Sequence, residues 1–218
     1  MEATEEKRQK LAEMMDKLAG EDIMVAFSGG VDSSLLLKAA CDSAGRTGKK
    51  VYAVTIQTAL HPTEDIEVAG RVAKEMGAVH VILSVDELAE AGIEDNPVDR
   101  CYRCKKLLFQ KMKKKAQELG VPVIVEGTNA DDLTVYRPGI RAIRELGITS
   151  PLALLGITKE EVRKFAGEYG ISVSNRPSAP CLATRFPYGT RLNMDKMKQV
   201  DQGEAYLRSL GLYNVRIR

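Results

Sequence analysis

The sequence predicts an α/β fold: a doubly wound parallel sheet with a smaller C-terminal part. Apolar runs at 23–28, 50–56, 79–85 and 121–126 alternate with stretches of helical periodicity, as strands joined by crossover helices do. The first run, Ile23-Met24-Val25-Ala26-Phe27, leads through Ser28-Gly29-Gly30-Val31-Asp32-Ser33 into Leu35-Leu36-Leu37, an order of strand, glycine loop and helix. A chain of 218 residues buries roughly 70–75% of its unfolded surface, enough for one such domain and an appendage.

Each element has its own signal. Residues 5–19 read as a leading helix with Leu11, Met14, Met15 and Leu18 on one face. Cys41, beside Ala39 and Ala40 in the helix after the glycine loop, reads as a small buried apolar residue. Ala69, Val72, Ala73 and Met76 mark the helix between the second and third strands. Leu108, Met112, Ala116 and Leu119 give the next helix a core face. Lys105, Lys106, Lys111, Lys113, Lys114 and Lys115 then fall mostly on its solvated side, which is preferred over an RNA-contacting patch. Thr158 and Glu161 fit a capping box ahead of Val162, Phe165, Ala166 and Tyr169.

The texture changes after residue 174, so the expected division is 1–174 and 175–218. Residues 175–181 are irregular, with Pro177 and Pro180. A helix is expected over 194–210 with Met197, Val200, Leu207 and Leu210 on one face. Glu204 shares that face, which is costly unless the carboxylate is paired or used. Asn214-Val215-Arg216-Ile217-Arg218 alternates like a strand and puts Arg216 and Arg218 on one side. Such a pair suits a phosphate clamp, or simply a polar strand face. The chain stops inside this element, so a continuation is expected.

Composition narrows the function. Hydrophobic residues make up 44% and charged residues 28%, ordinary for a globular protein. Net charge of +2 and a pI near 8.3 carry no global nucleic-acid signature. No apolar run approaches the ~20 residues of a membrane span, and the N-terminus lacks a signal core, so the expected compartment is the cytoplasm.

The glycine loop is the strongest chemical signal. Gly29 and Gly30 let backbone N–H groups approach an anion, and the helix N-terminus adds its dipole. Ser28 and Ser33 supply hydroxyls, and Asp32 can hold Mg²⁺. The expected guest is a polyphosphate, although the Walker A spacing is absent. Glu126-Gly127-Thr128-Asn129-Ala130-Asp131-Asp132 follows the fourth strand at the same carboxyl edge, so Gly127 and Thr128 are expected to wall the site.

Cys101 and Cys104 form a C-x-x-C flanked by Arg100, Arg103, Lys105 and Lys106, and Cys181 lies near Arg185. Positive neighbours favour thiolate. A redox dithiol needs no third cysteine. A zinc site needs four ligands, and His61 and His80 lack useful spacing. A disulfide is disfavoured in a reducing compartment. Three thiolates from Cys101, Cys104 and Cys181 can instead hold a [4Fe-4S] cluster with one iron left open, a departure from Cys₄ ligation.

The glycine loop resembles the PP-loop of ATP pyrophosphatases, which implies cleavage of ATP between the α and β phosphates. Together with Tyr136-Arg137-Pro138-Gly139, Arg185-Phe186-Pro187-Tyr188-Gly189-Thr190 and Glu204-Ala205-Tyr206-Leu207, it makes nearly the whole chain resemble the LarE family of ATP-dependent sulfur transferases. The resemblance implies adenylation of pyridinium-3,5-dicarboxylate mononucleotide and conversion of a carboxylate to a thiocarboxylate. Some members sacrifice the sulfur at the position of Cys181; the C-x-x-C resembles the subgroup that holds a [4Fe-4S] cluster. The expected catalytic residues are Cys181, Asp32, Glu204 and Arg185, with Arg216 and Arg218 on the substrate phosphate. The expected cofactors are ATP, Mg²⁺ and the cluster. The expected partners are the nucleotide substrate, sulfide or a sulfur-donor protein, and further copies of the chain, with no nucleic acid or membrane. The rival readings are tRNA thiolation, amide synthesis and a non-catalytic iron–sulfur or zinc module.

Overall fold

Four parallel strands form one sheet in the order β3-β2-β1-β4, with β1 Ile23–Ala26, β2 Val51–Gln57, β3 Val79–Ser84 and β4 Val123–Val125. The computed structural model describes residues 2–178, 180–212 and 214–218. Ile23 stands in register with Val51 on one side and Val123 on the other, so β1 is central. The carboxyl end of β1, where the glycine loop begins, therefore lies in the middle of the sheet edge. The four apolar runs and the α/β class are as the sequence implied.

The helices cover both faces. They are α1 Glu2–Leu18, α2 Val31–Thr47, α3 Glu64–Glu75, α4 Glu87–Glu90, α5 Arg100–Leu119, α6 Gly139–Glu145, α7 Pro151–Leu154, α8 Lys159–Glu168 and α9 Met194–Ser209. Period-two alternation in β1 divides the core. Ile23 and Val25 pack with Leu11, Met15, Leu36 and Phe165 on one face. Met24 faces Phe109, Met112 and Ile143 on the other. The Thr158–Glu161 capping box opens α8 with both reciprocal bonds formed. The α5 lysines are largely engaged on its surface: Lys111 pairs with Glu90, Lys106 with Glu145 and Lys115 with Glu118. Among the described residues no helix is long and apolar enough to cross a membrane.

A third apolar cluster lies beyond the sheet edge. Leu60, Leu88, Ile93 and Cys104 pack there with Ala183, Leu192 and Met197. Backbone bonds tie the same pieces together: Leu182 N–H donates to Leu60 O at 2.8 Å, and Leu192 N–H to Glu94 O at 2.7 Å. The segment after residue 174 thus folds onto the α4–α5 region.

Two local expectations are corrected. Residues 214–218 form no strand. Among the described residues no strand pairs with them. Ile217 instead lies over Gly203, where a Cβ would come within 2.6 Å of Ile217 Cδ1. Its N–H donates to Glu204 Oε1 at 3.0 Å. Second, α9 buries Met197 and Glu204, while Leu210 is exposed. That helix is held by a polar partner more than by an apolar stripe.

Candidate active site

A cavity of about 550 Å³ opens at the carboxyl edge of the sheet, within the usual range for small-molecule sites. Ser28, Asp32 and Ser33 line it from the glycine loop. Gly29 has φ +70°, and a Cβ there would stand 3.0 Å from the Ala69 backbone, so only glycine fits. Gly30 caps α2 in extended conformation. Ser28 Oγ accepts from Gly30 N–H at 3.3 Å, and Ser33 Oγ donates to Gly30 O at 3.1 Å. The hydroxyls therefore shape the loop as well as face its guest.

The second loop seals the first. A Cβ on Gly127 would come within 3.0 Å of Ser33 N, so the glycine permits backbone-to-backbone contact. Buried Glu126 holds this turn by accepting from Thr128 N–H at 3.1 Å, from Thr128 Oγ1 at 2.8 Å and from Ser150 Oγ. Glu126, Gly127 and Thr128 all line the cavity. Asn129 Nδ2 donates to Asp32 Oδ1 at 2.9 Å. Lys159, from the first turn of α8, pairs with Asp32 Oδ2. Sequence reasoning missed Lys159. Its signal was its place one residue after the cap of a helix that starts beside this loop.

The three cysteines face the same cavity. Cys101 and Cys104 sit at the start of α5, and Cys181 caps the short turn Leu182–Arg185. Arg100, buried at 3% exposure, ties these elements together. It bonds to Asn96 Oδ1, to Ala183 O at 3.3 Å and to Cys101 Sγ at 3.9 Å, and it lies over the Tyr188 ring at 5.5 Å. Asn96, held at φ +49°, donates to Phe186 O at 3.1 Å and to Pro187 O at 2.8 Å. The Arg185–Thr190 stretch is thereby fastened to the C-x-x-C helix. Tyr136, Arg137, Pro138 and Gly139 add a wall on the far side; a Cβ at Gly139 would meet Lys105 Cγ at 2.8 Å.

The basic neighbours do not lower the Cys104 and Cys181 thiols. Burial pushes both up, Cys181 to about 11, and the nearby Glu87 charge adds to the rise. Arg100 opposes the shift at Cys181 and is outweighed. Cys41 is half-buried, and burial raises it to about 11. Among the described residues no three His, Cys, Asp or Glu side chains could hold a single metal ion. Cys101, Cys104 and Cys181 line one cavity, and thiols are the ligand type an iron–sulfur cluster takes.

Arg185 and Glu204 lie outside the lining, behind the Cys181 turn. They form a bidentate pair, both bonds 2.8 Å, at 2% and 1% side-chain exposure. Arg185 also donates to Pro180 O at 2.9 Å and Cys181 O at 3.2 Å. Burial drives the Glu204 carboxyl up, but Arg185 and the Ile217 N–H hold it below the ordinary range. Their geometry positions Cys181. Arg216 donates to Ser178 O at 2.9 Å, and burial with the charges of Arg185, Arg208 and Arg218 lowers its pKa. The structure thus brings the nucleotide loops and the cysteines together. Arg216 and Arg218 are not among the residues lining the cavity.

The PP-loop domain family matches residues 3–175. An uncharacterized protein of Synechocystis is 39% identical over 98% of this chain and 78% of its own length. The pyridinium-3,5-bisthiocarboxylic acid mononucleotide synthase of Lactiplantibacillus plantarum is 37% identical over 90% of this chain and 70% of its own. Among solved structures, the NMN synthetase of Francisella tularensis superposes with a TM-score of 0.63 over 93% of this chain and 86% of that one, at 16% identity, a likeness of fold. A glycine loop on a central parallel strand, a matching domain family and this degree of kinship make the chain an ATP-dependent enzyme of the PP-loop superfamily, and it belongs to the LarE family.

Proposed function

We propose that the protein is an ATP-dependent sulfur transferase that adenylates a carboxylate of pyridinium-3,5-dicarboxylate mononucleotide and converts it to a thiocarboxylate. One observation carries this reading: the nucleotide loop and three cysteines open on a single cavity. Activation and sulfur delivery must reach the same carbon, so their machinery has to share one space. The kinship with the Lactiplantibacillus synthase supports the choice of substrate.

A carboxylate resists substitution until it has a leaving group. Its oxygen attacks the α phosphorus of ATP, pyrophosphate departs, and a sulfur nucleophile then displaces AMP. Backbone N–H groups of the Ser28–Ser33 loop stabilise the charge that develops on pyrophosphate. Asp32 is the residue to hold Mg²⁺, and Lys159 is then freed from Asp32 to face the phosphates. Gly127 and Thr128 close the nucleotide from the other side. Cys101, Cys104 and Cys181 are the residues to hold a [4Fe-4S] cluster, which supplies an exchangeable sulfide when bound. Arg185 and Glu204 fix the Cys181 turn, and Arg216 and Arg218 take the substrate phosphate. Residues 1–174 form the nucleotide part and 175–218 begin the substrate part of an oligomeric enzyme. Sulfide or a sulfur-donor protein feeds it in the reducing cytoplasm.

The test is anaerobic purification with iron and sulfide analysis, followed by mass spectrometry of product and protein. The expected results are pyrophosphate release with the dicarboxylate substrate, repeated turnover with added sulfide, and an intact Cys181. Changing Cys101, Cys104 or Cys181 to Ser should lower iron content and sulfur transfer together while ATP binding survives. Dehydroalanine at position 181 after turnover of iron-free protein would replace the cluster reading with sacrificial donation. Copurifying RNA would favour tRNA thiolation.

A further inference from the structure

Glu87 is a carboxylate in an unusual position. It is the first residue of α4, at 4% exposure, and it lines the active-site cavity with Cys101, Cys104 and Cys181. Its Oε2 is buried and makes no hydrogen bond of ordinary geometry among the described residues, and the neighbouring Cys104 thiol is raised by burial, by the Glu87 charge and by hydrogen bonding to Glu87. A buried carboxylate oxygen short of partners is costly, and a cation beside it relieves that cost. The α5 cations that line the cavity have other partners. Arg100 is bound to Asn96, Ala183 and Cys101, and Lys105 lies over the Phe109 ring at 5.2 Å. Its chain neighbour Leu88 belongs to the third apolar cluster, together with Ile93 and Cys104. The charge of Glu87 also reaches Cys104 and Cys181, raising both thiols. Three thiols and a buried carboxylate thus line one cavity.

We propose that Glu87 is the oxygen ligand of the iron that the three cysteines leave uncapped, holding that position until hydrosulfide displaces it. The proposal rests on the reading that these cysteines bind a [4Fe-4S] cluster. The exchange is a substitution without redox change: the iron–oxygen bond breaks, an iron–sulfur bond forms, and the carboxylate stays on the protein as an anion. Such a ligand would keep the labile iron in place between turnovers and keep water from it.

The experiment uses anaerobically reconstituted full-length protein, wild type and Glu87→Gln, with hydrosulfide as the probe. Iron analysis is read first; wild type without a four-iron cluster overturns the cluster reading and this proposal together. Mössbauer spectra of wild type should show one iron with an oxygen ligand, and adding hydrosulfide should convert it to sulfur ligation. Four irons of purely sulfur ligation before hydrosulfide is added would overturn the role of Glu87 alone, whether or not the variant folds. Glu87→Gln should retain ATP binding, bind hydrosulfide about tenfold more tightly, and lose one iron about tenfold faster on mild oxidation to give the three-iron EPR signal. A variant with four irons that matches wild type in both measurements would also overturn it.

Discussion

Replacing Glu204 with leucine tests whether the buried ion pair organises the cysteine turn. The substitution strips Arg185 of two 2.8 Å bonds and leaves its guanidinium at 2% exposure. Breaking such a pair costs about 3–5 kcal/mol because the surviving charge is buried without compensation. Arg185 retains bonds to Pro180 O, Cys181 O and Thr184 Oγ1, which favours the lower figure. The Ile217 N–H loses its acceptor, which adds about 1 kcal/mol or more. The expected sum is about 4–5 kcal/mol, or a fall in Tm of about 8–20 °C for a chain of this length. Urea and thermal unfolding followed by circular dichroism would measure it. The double variant Arg185→Met with Glu204→Leu removes both charges and should recover at least about 1 kcal/mol relative to the single change. It should still bind ATP and should lose sulfur transfer, because the Cys181 turn then loses its tie to α9 and keeps only its local Thr184 bonds. A single variant within about 1 kcal/mol of wild type would refute the reasoning. So would a double variant as unstable as the sum of the two single changes.

Three other outcomes are expected. Gly127→Ala should push the second loop off Ser33 N and weaken ATP binding about tenfold, read by calorimetry, with little loss of fold. Lys159→Ala should slow pyrophosphate release about tenfold or more, yet change stability by less than about 1 kcal/mol, because its pair with Asp32 is partly exposed; unchanged kinetics would make the lysine a structural counter-ion. In acid, the folded state holds Glu204 below its ordinary value of 4.5, so the unfolded chain takes up the proton first. That contribution is full above pH 4.5 and is lost as pH falls below it, so Glu204→Gln should flatten the acid limb of a stability profile.

The legible parts of this molecule were those whose cause is local. Four apolar runs marked the strands, and Thr158 and Glu161 marked a helix start because a capping box is three residues long. The glycine loop was legible because one segment carries the turn, the hydroxyls and the helix end. Asp32's partners were not, since Asn129 and Lys159 reach it from elements far along the chain. Asn96 likewise acquires meaning only when the Phe186–Pro187 turn reaches it, and Glu87 only when the fold places it at the cavity of the three cysteines. The thiols were misjudged because Arg103 and Lys105 are neighbours in sequence, while burial and Glu87 dominate in space. Alternation at 214–218 described half a strand; the missing half is a neighbour with free N–H and C=O groups.

The third apolar cluster gives the compositional break at residue 174 a different meaning. Ala183, Leu192 and Met197 pack with Leu60, Leu88 and Ile93 in one cluster. A protein cut at that break would expose a sticky hollow beside its own cysteines, and its two fragments would each be only part of a folding unit. Across the shift in texture the two segments share one apolar cluster. Any shuffling of C-terminal parts between relatives would have to carry residues 60, 88 and 93 with them.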